Sequence, residues 1–99
     1  MTAHARRSTT NVFRDLGFSP RESENLRLRS DLMIRLTKLI ESEGLTQTAA
    51  AKLLGVTQPR VSDLTRGRID RFSVDTLLEM LGRAGVQVTL VFKRSRKVA

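Results

Sequence analysis

Cysteine, tryptophan and tyrosine are absent from this 99-residue chain, and histidine occurs once. Without cysteine there is no disulfide framework and no thiolate ligand for a metal. The histidine, His4, lies in a polar stretch, so neither a His-based triad nor a multi-histidine metal site is available. The acidic residues show no metal-ligand spacing, and the glycines form no phosphate-binding loop. We therefore expect a protein that is not an enzyme and that uses no metal or other cofactor.

Long apolar runs are also missing. No segment approaches the length of a transmembrane helix, and the opening residues MTAHARRSTTNV lack the apolar stretch of a signal peptide. We expect a cytoplasmic protein that does not act at a membrane.

Acidic residues are few beside the basic ones. The chain has 18 Lys and Arg against 10 Asp and Glu, which gives a net charge of +8 and a pI of about 11.5. Arginine outnumbers lysine, which suits recognition of phosphate and guanine. RNA, an anionic membrane surface and an acidic protein are alternative partners. RNA-binding modules usually carry aromatic stacking platforms, whereas this chain has four Phe and no Tyr or Trp. DNA is therefore the favoured partner.

The chain divides into three parts. Residues 1–10 form a polar arm that we expect to be disordered, residues 11–93 form the folded domain, and residues 94–99 form a basic tail. Ser19, Pro20 and Glu22 make a capping box, which predicts a helix from Pro20 to about Ser42. Its predicted buried stripe is Leu32, Leu36, Leu39 and Ile40, while residues 22–29 are expected to project beyond the core. A last helix is predicted after Ser73, ending near Ala84.

Residues 46–67, TQTAAAKLLGVTQPRVSDLTRG, predict two short helices joined by a tight turn. Thr46 is expected to cap the first helix, and Gly55 to end it in a left-handed conformation. Thr57 is expected to cap the second helix, which runs from Gln58 to about Arg66, and three consecutive alanines let the two helices cross closely. This is the layout of a helix-turn-helix, whose second helix enters a DNA major groove. The fold class is therefore mainly α, with four to five helices around this motif.

The second helix of the motif turns Val61 and Leu64 inward and leaves a polar face outward. The outward residues are Gln58, Arg60, Ser62, Asp63, Thr65 and Arg66. Arg can bind guanine, Gln can bind adenine, and Ser and Asp can contact base edges. A solvated face on a structural helical hairpin is the alternative. We predict DNA reading, because the cap, alanine, glycine and core positions all agree.

Residues 86–93 alternate like a half-buried β-strand, with Val86, Val88, Leu90 and Phe92 on one face. A lone strand cannot satisfy its hydrogen bonds. It pairs either with residues 11–13 of the same chain or with a second copy across a twofold axis. We favour the homodimer, because symmetric dimers commonly span two half-sites.

The segment GLTQTAAAKLLGVTQPRVSDLTRGR resembles the helix-turn-helix of the Xre/Cro type, which has the lambda-repressor-like fold. Together with NVFRDLGF before it and FSVDTLLEMLGRAGVQVTL after it, residues 11–92 resemble the small HigA-like antitoxins of type II toxin–antitoxin pairs. The resemblance implies a dimeric repressor that binds a palindromic operator, regulates its own operon and sequesters a RelE/HigB-like toxin. The alternative is a stand-alone or phage-like Xre-family regulator without a toxin, and a nonspecific charge-driven binder is a third.

The resemblance also implies roles for individual residues. Gln47 and Thr57 would hold phosphate, and Pro59 would make apolar contact with a base. The residues expected to meet base edges are Gln58, Arg60, Ser62 and Asp63. Arg66 and Arg68 would lie near the DNA backbone.

The segment before the first long helix admits two interpretations. Its apolar residues, Val12, Phe13, Leu16 and Phe18, either cover the helical core as a flap or contact a toxin. A basic toxin would seek acidic groups, and the candidates are Asp15, Glu22 and Glu24.

Overall fold

The computed structural model describes residues 12–94 of the chain and builds them from helices. The helices are α1 (Pro20–Ser42), α2 (Gln47–Leu54), α3 (Gln58–Thr65), a 3-10 helix (Ile69–Arg71) and α4 (Val74–Arg83). Residues 12–15 add one helical turn before α1. The predicted mainly helical fold with a central helix-turn-helix, α2–α3, is confirmed. The predicted polar arm, with His4, and the basic tail beyond residue 94 lie outside the described residues.

Helix starts follow the capping residues that the sequence indicates. The Ser19 hydroxyl accepts the Glu22 N–H at 3.1 Å, and Glu22 Oε1 accepts the Ser19 N–H at 3.0 Å. This reciprocal pair lowers the pKa of Glu22, because the ionised carboxylate accepts the Ser19 backbone N–H and is also bonded by the Ser19 side chain. The Thr46 hydroxyl accepts the Ala49 N–H at the start of α2, and the Ser73 hydroxyl accepts the Thr76 N–H at the start of α4. Each cap satisfies a backbone N–H that a helix start would otherwise leave unpaired.

Helix α3 contacts the hydrophobic core through one face only. Helix α1 packs against α4, α3 and the 3-10 helix, while α2 packs against α3 and α4. The buried apolar residues are Leu32, Met33, Leu36, Ile40, Ala50, Ala51, Leu54, Val61, Leu64, Phe72, Leu77, Met80 and Leu81. The predicted stripe of α1 is thus confirmed except at Leu39, which is partly buried. Because only Val61 and Leu64 of α3 enter this core, the rest of α3 lies at or near the surface.

The predicted strand over residues 86–93 is not formed within the single chain. Residues 86–94 carry no regular secondary structure. Val86 packs partly against the core, and its N–H donates to the Leu81 carbonyl at 2.9 Å. Pairing with residues 11–13 is wrong where it can be checked, because residues 12–15 are helical and the Leu16 N–H donates to the Val12 carbonyl. A strand needs a neighbouring backbone to bond. The described part of this chain offers none, so Leu90 and Phe92 remain 60% and 88% exposed.

The segment before α1 covers the core only in part. The rings of Phe13 and Phe18 meet edge to face, with centroids 6.3 Å apart. Phe13 lies on a groove of about 500 Å³ between α1 and the end of α3, whereas Val12 and Leu16 are 51% and 69% exposed. Ser23 is fully buried beside the Phe18 carbonyl. The start of α1 therefore packs against this segment. The prediction that residues 22–29 project beyond the core is wrong at Ser23.

Candidate nucleic-acid interface

The turn between α2 and α3 depends on Gly55. This glycine has φ +71°, in the left-handed region, and its N–H donates to the Ala51 carbonyl. A Cβ at this position would lie 2.8 Å from the Arg83 guanidinium carbon. The position favours glycine for its backbone conformation, while the Arg83 side chain, which is 55% exposed, could move aside from a Cβ. The predicted left-handed exit from α2 is confirmed, and this turn fixes the direction in which α3 leaves.

The polar side of α3 separates into a centre and two flanks. Successive residues of an α-helix are rotated by about 100°, and Val61 and Leu64 mark the direction of the core. The four residues within about 50° of the opposite direction form the outward centre. They are Pro59, Ser62, Asp63 and Arg66. Gln58 and Arg60 fall on opposite flanks of the helix, so the six polar residues predicted as one face have different surroundings.

On one flank, Gln58 joins the starts of α3 and α2. Its side-chain amide donates to the Thr48 hydroxyl at 3.1 Å. Gln47 and Thr57, the two predicted phosphate contacts, are exposed at the same edge. Thr57 is the N-cap residue of α3, as predicted, but its hydroxyl makes no capping hydrogen bond. Pro59 has no N–H to offer, and the Arg60 N–H donates to the Thr57 carbonyl at 3.1 Å.

On the other flank, Arg60 is bound to the segment that follows α3. Its Nη1 donates to the Arg71 carbonyl at 2.8 Å. Its guanidinium carbon lies 4.3 Å from the centroid of the Phe72 ring, which is a cation–π contact. The Phe72 ring is itself buried. In this conformation Arg60 is directed toward the 3-10 segment, and the sequence pattern did not predict either contact.

A second arginine holds the same segment from α1. Arg29 Nη1 lies 3.1 Å from the Ile69 carbonyl and 3.4 Å from the Phe72 carbonyl, and it donates to both. Its Nε donates to the Asn25 side chain at 2.8 Å. The backbone from Ile69 to Phe72 is therefore fastened by one arginine on each side.

The fastened segment carries Arg71, a residue that the sequence analysis did not select. Arg71 Nη1 lies 3.4 Å from Asp63 Oδ2 on α3. Arg71 could have been selected as a candidate site residue from the sequence, because it belongs to an arginine-rich stretch that begins with Arg66 and Arg68. Those two arginines are exposed beyond the end of α3. Residues 46–72 contain five basic and two acidic side chains, so the surface around α3 is predominantly positive.

The three acidic candidates near α1 have different surroundings. Asp15 is exposed, and Glu22 belongs to the capping box of α1. Glu24 Oε2 lies 2.7 Å from Arg27 Nη2, and Asp31 Oδ2 lies 2.8 Å from Arg27 Nη1. The hydrogen bond from Arg27 lowers the pKa of Glu24, and the same bond raises the pKa of Arg27. Two of the three carboxylates are thus already engaged within the chain.

Two further features bear on the kind of site. Within residues 12–94, no three His, Asp or Glu side chains come together as metal ligands would. None of the helices in that range has the length and apolarity of a membrane span.

Comparison with known proteins also identifies a helix-turn-helix domain in this chain. The chain matches the helix-turn-helix domain family over residues 12–93, and it belongs to that family. It is also similar to a solved structure of a protein assigned to the XRE family of transcriptional regulators. The two share 29% identity over 79% of this chain and 88% of that chain, with a TM-score of 0.70. No curated protein matches the chain. The Xre-type helix-turn-helix expected from the sequence is confirmed.

Proposed function

We propose that this protein is a cytoplasmic transcriptional repressor that binds a palindromic operator through α3, without catalysis or a cofactor. The observation that carries the proposal is the outward centre of α3 inside a predominantly basic surface. An α-helix fits the major groove of B-DNA, where base edges differ in their donors and acceptors. Phosphates on either side of the groove attract arginines and hydrogen-bonding groups. Residues 11–93 act as the DNA-binding domain.

Individual roles in the proposal follow from location. Gln47 and Thr57, at the edge where α2 and α3 begin, hold phosphate. The Thr57 hydroxyl is suited to this role because it does not cap α3. Arg66 and Arg68 hold the backbone beyond the far end of α3. The reading residues are Gln58, Pro59, Ser62 and Asp63, with Pro59 contacting a thymine methyl.

Arg60 has a separate role in the proposal. To bind a guanine, as the sequence suggests, it would have to leave both the Phe72 ring and the Arg71 carbonyl. We therefore assign it to holding the 3-10 segment against α3.

Selection from a randomised DNA duplex library tests sequence-specific binding. The wild-type protein should enrich one motif and bind it about a thousandfold more tightly than a scrambled duplex at physiological salt. Equal binding to both duplexes would leave only charge-driven association. Arg66→Ala should reduce the slope of log affinity against log salt by about one. Arg35→Ala, which removes an exposed arginine of α1, is the matched control and should leave the slope unchanged.

A homodimer would match the twofold symmetry of a palindromic operator. We propose that two copies pair antiparallel through residues 86–92, with Val86, Val88, Leu90 and Phe92 on the buried face. The exposure of this apolar segment in the single chain supports the proposal, since contiguous apolar patches usually mark interfaces. Pairing would also supply the backbone partner that the strand lacks.

We further propose that the protein is the antitoxin of a RelE/HigB-like toxin. The support is the resemblance of residues 11–92 to HigA-like antitoxins and the exposed apolar side chains of Val12, Leu16 and Phe18. The motif α2–α3 makes no use of these side chains. The toxin would contact this segment and its acidic neighbours, Asp15, Glu22 and Glu24. The alternative function is a stand-alone or phage-like Xre regulator with no toxin partner.

Co-expression with the product of the adjacent reading frame tests the antitoxin proposal. Wild-type protein should relieve growth arrest caused by that product. Leu16→Asp should fail to relieve it while still binding the selected DNA duplex. A harmless neighbouring product would favour the stand-alone regulator. Full rescue by Leu16→Asp would instead show that the toxin-contact surface lies elsewhere.

A further inference from the structure

Asp63 is the one acidic residue of α3, and it lies in the outward centre of that helix. A carboxylate at that location faces the negative phosphates of any DNA that α3 approaches, which disfavours binding. Its surroundings offset this charge. Asp63 Oδ2 lies 3.4 Å from Arg71 Nη1, and the Asp63 side chain is 19% exposed while that of Arg71 is 51% exposed. The pair is therefore partly sheltered, with an arginine on its more open side.

The location of Arg71 is fixed by its backbone. The Arg71 carbonyl accepts a hydrogen bond from Arg60 at 2.8 Å, and the next residue, Phe72, is buried. Arg29 binds the carbonyls on either side, at Ile69 and Phe72. A side chain on a fastened backbone loses less freedom when it forms a contact. Arg71 is thus preorganised beside α3, although it belongs to the segment after that helix.

We propose that Asp63 and Arg71 act together as one specificity-determining pair, an inference that rests on the proposed DNA-binding function. Arg71 neutralises Asp63 and orients its carboxylate by holding Oδ2. The other oxygen, Oδ1, accepts a hydrogen bond from the N4 amino group of a cytosine in the major groove. Carboxylates are matched to cytosine there because cytosine presents only the N4 donor. Adenine sets the acceptor N7 beside its N6 donor, and guanine and thymine present acceptors. Arg71 is a positioning residue in this pair, since it acts through Asp63.

Selection from a randomised duplex library tests the pair with four proteins: wild type, Asp63→Asn, Arg71→Ala and Arg71→Lys. Wild type should prefer cytosine at one base pair of each half-site. Asp63→Asn should lose that preference, or change it to adenine, with a relative affinity change of about 5- to 100-fold at this base pair alone. Arg71→Ala should lose the same preference, and Arg71→Lys should restore it in part because it restores the positive charge.

Asp70→Asn is the matched control, since Asp70 is an exposed acid of the same segment and makes no ion pair with the described residues. It should leave every base preference unchanged. The inference is overturned if Asp63→Asn selects the wild-type motif at every position. It is also overturned if Arg71→Ala weakens selected and scrambled duplexes equally, because Arg71 would then be a phosphate contact. If wild type enriches no motif at all, the proposed function fails and this inference fails with it.

Discussion

Replacing Arg60 with alanine distinguishes two roles for this residue: stabilising the fold, or only contacting a DNA base. In the structure, Arg60 stacks on Phe72 and donates to the Arg71 carbonyl. A cation–π contact contributes about 0.5–1 kcal/mol where it is exposed to solvent. A hydrogen bond contributes about 1 kcal/mol net. Because Arg60 is only partly buried, we expect Arg60→Ala to lower the free energy of unfolding by about 1–2 kcal/mol.

Urea denaturation followed by far-UV circular dichroism measures this loss. Arg66→Ala is the matched control, because Arg66 lies on the same side of the motif and is exposed. It should change the free energy of unfolding by less than about 0.5 kcal/mol. If Arg60→Ala is as stable as Arg66→Ala, the supporting role is refuted. Loss of preference at one base pair without loss of stability would return Arg60 to the base-reading role that its sequence context suggests.

Three further predictions concern the turn, the helix cap and the C-terminal segment. Gly55→Ala should lower the free energy of unfolding by roughly 1–2 kcal/mol because φ is +71°, and Gly67→Ala, at φ +74°, should lower it by a similar amount. The pKa of Glu22 is lowered in the folded state, so its contribution to stability is present near neutral pH. That contribution is lost as the pH falls below the ordinary value near 4.5. Glu22→Gln keeps a capping side chain but should show a flatter acid limb in denaturation experiments. Val88→Asp combined with Leu90→Asp should give a monomer by light scattering with its helicity intact, and an unchanged mass would refute pairing through this segment.

Features that depend on neighbouring residues could be predicted from the sequence. The caps at Ser19, Thr46 and Ser73 bond backbone groups three residues away, so a short pattern contains all the required information. The buried positions of α3 follow from helical periodicity in the same way. Thr57 is the exception among the caps, because the N–H of Arg60, three residues on, donates to the Thr57 carbonyl and not to its hydroxyl.

Features that depend on distant residues could not be predicted. Arg60 and Arg71 are 11 residues apart, and Arg29 lies 40 residues before Ile69. No periodicity links such positions, because their contact is created only when α1, α3 and the 3-10 helix pack together. The strand predicted over residues 86–93 is not formed in the described structure for a different reason. Its alternation of apolar and polar residues describes one face, but hydrogen bonding requires a partner strand, which residues 12–94 do not supply.

Amide chemical shifts, measured by NMR during titration with the selected duplex, show directly whether the outward centre of α3 contacts DNA. The largest changes should fall at residues 46–49 and 57–71, around the starts of α2 and α3 and the arginine-rich segment. Amides in the second half of α1 and in residues 86–94 should change little. Changes centred on residues 12–24 or 78–94, with α3 unaffected, would contradict DNA contact through α3.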